Sequence, residues 1–84
     1  MTTLFKTVLC PRCNEDYLLI TQYADTKELY LSCSECEASW RRPEDINDSS
    51  KMFVDPDIDA TDPTLADIKA FGWERYISGT LESQ

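Results

Sequence analysis

Four cysteines fall in two pairs of identical spacing, Cys10-Pro11-Arg12-Cys13 and Cys33-Ser34-Glu35-Cys36, with nineteen residues between the pairs. Two residues between cysteines make a tight turn that aims both sulfurs at one point. Two such turns supply four soft ligands, the arrangement expected of a tetrahedral site with Zn–S near ~2.3 Å. Backbone N–H groups within each turn can donate to the sulfurs and spread their charge. No cysteine lies outside the two pairs. The reading is one structural zinc ion held by Cys10, Cys13, Cys33 and Cys36. Two disulfides are the competing reading, and no secretory signal supports it. A thioredoxin-like redox pair would leave the second pair unexplained.

Other chemistry is thinly represented. The chain has no histidine, which removes the usual general base. A closed four-sulfur site leaves no position for a reactive water and no free thiol nucleophile. The expectation is therefore a protein that is not an enzyme. Asp55-x-Asp57-x-Asp59 suggests a calcium loop, but Ala60 and Ala66 stand where that loop wants glycine and glutamate. A solvated acidic loop is the better reading.

Between the cysteine pairs the chain must fold back. Tyr17 to Tyr23 is rich in β-branched and aromatic residues, Ala24 to Lys27 is polar and turn-like, and Glu28 to Ser32 returns. Alternation allows Leu18, Ile20, Leu29 and Leu31 to pack together. Ala38 to Arg42 reads as a third strand, ended by Pro43, and Leu4 to Leu9 as a further one. The fold class is small α+β: a zinc ribbon with a three-stranded antiparallel sheet, then an acidic loop, one short helix and a possible final strand. As one domain it divides into the ribbon (9–42), the acidic loop (43–62), the helix with its strand (63–77) and a frayed tail (78–84).

With the cysteine turns and this hairpin, the segment from Leu9 to Arg42 resembles the zinc-ribbon superfamily, in which Cys-Pro-x-Cys is a typical first turn. The resemblance implies a metal-stabilised hairpin. Ribbon turns often carry glycine just after the second cysteine; here Asn14 and Glu37 stand there. Asparagine tolerates φ > 0 and glutamate does not, so strain or a different shape is expected at the second turn. Rubredoxins share the paired cysteines but bind iron, so a rubredoxin-like electron carrier is an alternative. The rest of the rubredoxin pattern of glycines and aromatics is missing.

In the second half, Met52-Phe53-Val54 is an apolar island that should pin the acidic loop to the core. A helix is expected after Asp62-Pro63, started either by that pair or by a capping box of Thr64 and Asp67. Leu65, Ile68 and Phe71 share its apolar face and Gly72 stops it. Trp73 to Ile77 alternates as a strand would, and its apolar residues are expected in the core.

Charge suggests the partner. Sixteen acidic and eight basic residues give a net charge of −8. Four thiolates around a 2+ ion would add about −2, for a folded total of about −10. Residues 1–42 carry six acids and five bases; residues 43–84 carry ten acids and three bases. Such a field repels phosphate backbones and attracts basic surfaces. Direct nucleic-acid binding is disfavoured, and a basic protein partner, such as a nuclease or another nucleic-acid-binding protein, is favoured. In size and charge alone the chain resembles immunity-type and inhibitor proteins. The expected contact residues are Glu44, Asp45, Asp48, Asp55, Asp57, Asp59 and Asp62. The alternative is a nucleic-acid or transcription-machinery zinc ribbon using Trp40, Arg41, Arg42 and the turn at Lys27. On the residues, Trp40 should pack under the ribbon and Arg41 and Arg42 should meet local carboxylates. No apolar run approaches the ~20 residues that span a bilayer, and no signal segment is evident, so a cytoplasmic location is expected.

Overall fold

In the computed structural model, residues 2–54 and 57–83 are described. They form a small α+β fold: six β-strands, all paired antiparallel, and one short helix. The strands are β1 (Thr2–Leu9), β2 (Tyr17–Tyr23), β3 (Leu29–Cys33), β4 (Ser39–Trp40), β5 (Ala60–Thr61) and β6 (Gly79–Ser83); the helix α1 is Leu65–Ala70. Their order across the sheet is β4-β3-β2-β1-β6. β5 pairs with Gln22 and Tyr23 of β2, on the side away from β3, because β3 already occupies the other edge at Leu29.

The expected hairpin is present, and its register explains the core. Leu18 pairs with Cys33, Ile20 with Leu31, and Gln22 with Leu29. The period of two therefore sends Leu18, Ile20, Leu29 and Leu31 inside, where all four are buried. They pack with Phe5, Trp40 and Ile68, and Trp73 and Ile77 lie against this cluster from the edge. Full burial of one such aliphatic side chain contributes about 1.5–3 kcal/mol. Gln22 is buried within the same face without being unsatisfied. Its Nε2 donates to the Lys27 carbonyl at 3.1 Å, and its Oε1 accepts from Thr61 Oγ1 at 3.5 Å.

The sheet is wider than the three-stranded ribbon, and the further strand expected at Leu4 to Leu9 is present within β1. β1 runs the full length of Thr2–Leu9, with an irregular register between Lys6 and Leu9. The segment after residue 78, expected to fray, is instead strand β6, paired with β1 from Thr2–Ser83 to Lys6–Gly79. Ser78 closes the junction, since its N–H donates to the Lys6 carbonyl and its hydroxyl to the Thr7 carbonyl. The expected strand at Trp73–Ile77 is a 3₁₀ turn, Glu74–Tyr76. Of the two helix starts, the chain uses Thr64. Its Oγ1 accepts from the Asp67 N–H at 3.2 Å, and the Asp67 carboxylate accepts from the Thr64 N–H at 3.0 Å. The capping box matters because a helix of six residues leaves most of its backbone groups without helical partners. Ile68 is its buried anchor; Leu65 and Phe71, expected on the same face, are largely exposed.

Pro43 does end the third strand, which is only Ser39–Trp40, and opens a 3₁₀ turn, Pro43–Asp45. The apolar island pins the acidic loop as expected. Phe53 and Ser39 exchange two backbone hydrogen bonds of 2.9 Å, adding a bridge beside β4.

Candidate metal centre

Strand register delivers the cysteines. Cys10 follows the end of β1, Cys33 closes β3, and the Leu18–Cys33 pairing brings the second turn beside the start of β2. The two turns are built alike. Asn14 N–H donates to the Cys10 carbonyl and Glu37 N–H to the Cys33 carbonyl, each at 3.0 Å. Each turn is then tied off by the first cysteine's own N–H, Cys10 to the Asp16 carbonyl at 2.8 Å and Cys33 to the Ala38 carbonyl at 2.9 Å. Asn14 has φ 55° and Glu37 has φ 62°, the left-handed conformation expected after the second cysteine. Glutamate therefore adopts the same shape as asparagine and carries the strain.

The four sulfurs lie within 4.8 Å of one another. Cys10 Sγ is 3.7 Å from Cys36 Sγ and Cys13 Sγ is 3.6 Å from Cys33 Sγ. A tetrahedron with Zn–S of ~2.3 Å has edges of about 3.8 Å, so the spacing fits four ligands around one ion. None of the four is in a disulfide. Cys10 and Cys33 are buried, while Cys13 and Cys36 are half-buried. Backbone N–H groups serve the sulfurs: Arg12 and Cys13 donate to Cys10, Glu15 and Asp16 to Cys13, and Glu35 and Cys36 to Cys33. Without an ion, burial pushes the Cys33 thiol up to about 12 and raises Cys10 also. The Glu15 N–H is the main reason Cys13 falls to about 7. Four thiols packed together with N–H donors aimed at them are suited to a cation that would hold all four as thiolates.

Asp16 and Ser34 were not singled out by sequence, and they link the two turns. Ser34 Oγ donates to Asp16 Oδ2 at 2.5 Å, while Asp16 Oδ1 accepts from the Tyr17 N–H at 2.8 Å. The Ser34 hydroxyl is the main cause of the lowered Asp16 pKa. A serine two residues before the end of the second pair and an aspartate three after the first carry no recognisable pattern, so only the fold reveals the link.

The acidic contact residues do not gather at one place. Asp45 ion-pairs with Lys51 at 3.4 Å. Asp48 caps the 3₁₀ turn Ser49–Lys51: its Oδ1 accepts from the Ser50 N–H at 3.0 Å and the Ser50 hydroxyl at 2.6 Å. That hydroxyl chiefly lowers the Asp48 pKa. Asp59 and Asp62 flank β5 at the hairpin-tip end of the sheet, where the Asp59 carbonyl accepts from the Ala24 N–H. Glu44, Asp57, Asp59 and Asp62 are exposed; Asp55 lies outside the described residues.

Trp40 is 2% exposed, packed under the sheet with Nε1 directed to the Asp48 carbonyl at 3.4 Å, so it cannot stack on a base. Arg41 and Arg42 are exposed, and contrary to expectation neither forms an ion pair among the described residues. Arg41 instead lies over the Phe53 ring at 5.8 Å. No described helix is long and apolar enough to cross a membrane. None of the family models, curated proteins or solved structures compared with this chain matches it.

Proposed function

We propose that the chain is a non-catalytic, zinc-stabilised protein-binding module that covers a basic surface of its partner, as an inhibitor or immunity-type protein does. Cys10, Cys13, Cys33 and Cys36 hold one Zn²⁺, in the manner of a zinc ribbon. The observation that carries the metal half of this reading is the convergence of four free sulfurs at tetrahedral spacing, a set of four protein ligands that fills a zinc coordination sphere. When bound, the ion ties the end of β1 to the end of β3 and makes the hairpin rigid.

The partner half rests on charge. A net −8, concentrated in residues 43–84, favours a basic surface such as that of a nuclease or another nucleic-acid-binding protein. Asp45 and Asp48 already serve the loop itself, so the contact set narrows to Glu44, Asp59 and Asp62. Charges of this kind mainly raise the association rate. The test is to recover the protein that co-purifies with the chain and to measure association with the E44Q/D59N/D62N variant at several salt concentrations. The expected result is a basic partner whose association slows by about tenfold and loses salt dependence. An acidic partner, or a rate indifferent to these substitutions, defeats the reading.

A further inference from the structure

A second site lies away from the cysteines. A cleft of about 500 Å³ has Glu28, Arg41, Arg42, Glu44, Phe71 and Trp73 in its lining. Its size is in the range of small-molecule sites. Arg41 and Arg42 have no carboxylate within ion-pair distance among the described residues, although Glu28 and Glu44 line the same cleft. Phe71 is 47% exposed and Trp73 half-buried, so aromatic faces are open to a ligand. The cleft thus combines flat apolar walls, two adjacent cations and two separate hydrogen-bond acceptors.

We propose that this cleft binds a free nucleotide. The base stacks on Phe71 and Trp73, Arg41 and Arg42 hold the phosphate through their forked donors, and Glu28 and Glu44 accept from the amino and imino groups of the base. Guanine suits a carboxylate in the lining best, because its N1–H and N2–H₂ donors lie side by side and can meet the two oxygens of one carboxylate, whereas adenine carries only its N6–H₂ donor. The ligand is a single nucleotide rather than a strand. One phosphate meets mainly the local arginines, whereas a polymer must meet the field of the whole −8 chain. Each half of the ligand meets one part of the cleft, the two guanidiniums or the exposed aromatic faces.

The experiment is a titration of the full ¹⁵N-labelled chain with GMP, AMP, guanosine, inorganic phosphate and a short single-stranded RNA, read by amide and indole shifts. GMP should shift the indole of Trp73 and the amides of Arg41, Arg42 and Phe71, and leave the indole of buried Trp40 in place. Guanosine and phosphate should each bind about tenfold or more weakly than GMP. Arg42→Ala and Phe71→Ala alter exposed side chains and should each weaken GMP about tenfold, while Arg12→Ala, outside the cleft, should not. The proposal is overturned if no nucleotide shifts these signals at millimolar concentration. It is also overturned if phosphate binds as tightly as GMP, or if the RNA strand binds more tightly than the free nucleotide.

Discussion

Replacing Glu37 by glycine should stabilise the protein. Glu37 sits at φ 62° directly after the second cysteine pair, exposed, with only backbone bonds to its neighbours: its N–H donates to Cys33 and its carbonyl accepts from Ser39 Oγ. Both bonds survive in glycine. An L-residue in the left-handed region costs about 1–2 kcal/mol, and glycine removes that term. Glycine also gives the unfolded chain more freedom, which costs about 0.4–1 kcal/mol. The net is a gain of about 0.5–1 kcal/mol, or about 2–8 °C in Tm for a domain of this size. The assay is thermal melting by circular dichroism at saturating metal. Two controls isolate the cause. Glu37→Ala removes the same charge but keeps a Cβ, so it should give no comparable gain. Asn14→Gly, at φ 55° in the matching turn, should gain less, because asparagine already tolerates this conformation. If alanine stabilises as much as glycine, the effect is one of charge and the backbone argument is wrong.

The remaining predictions concern what holds the fold together. A strong chelator, or Cys33→Ser, should unfold the hairpin, since structural zinc contributes about 10–16 kcal/mol in short peptides, comparable to a whole domain's stability of about 5–15 kcal/mol. An unchanged melt after complete metal removal, verified by elemental analysis, contradicts this. Ile68→Ala should cost about 2–5 kcal/mol in denaturant unfolding, because Ile68 is fully buried and is α1's one buried residue. Thr64→Ala should cost about 1 kcal/mol, while Thr64→Ser, which keeps the hydroxyl, should cost far less.

The site was legible in sequence because spacing alone encodes it: each pair is one turn, and the nineteen intervening residues suffice for one hairpin. The helix start was legible as a choice between two caps, and the fold took the one in which both partners are satisfied. The outer strands were harder. Gly79–Ser83 offers one apolar residue, Leu81, and earns its strand from backbone bonds to β1 rather than from its own pattern. Trp73 to Ile77 alternates as a strand would, but Trp73 N–H returns to the Ile68 carbonyl at 3.1 Å, curling the chain into a turn. The cleft was half visible. Arg41 and Arg42 stood out by type, but Phe71 and Trp73, far along the chain, come to line the same cleft only through the tertiary fold.

The pairing of Thr2 with Ser83 sets the two ends of the described chain on neighbouring strands of one rim. Anything spliced to one end therefore emerges beside whatever is spliced to the other. A short peptide bridge could join them into a ring while the sulfur cluster keeps its surroundings. During synthesis, β1 must also wait for Gly79–Ser83 to leave the ribosome before its outer edge is covered.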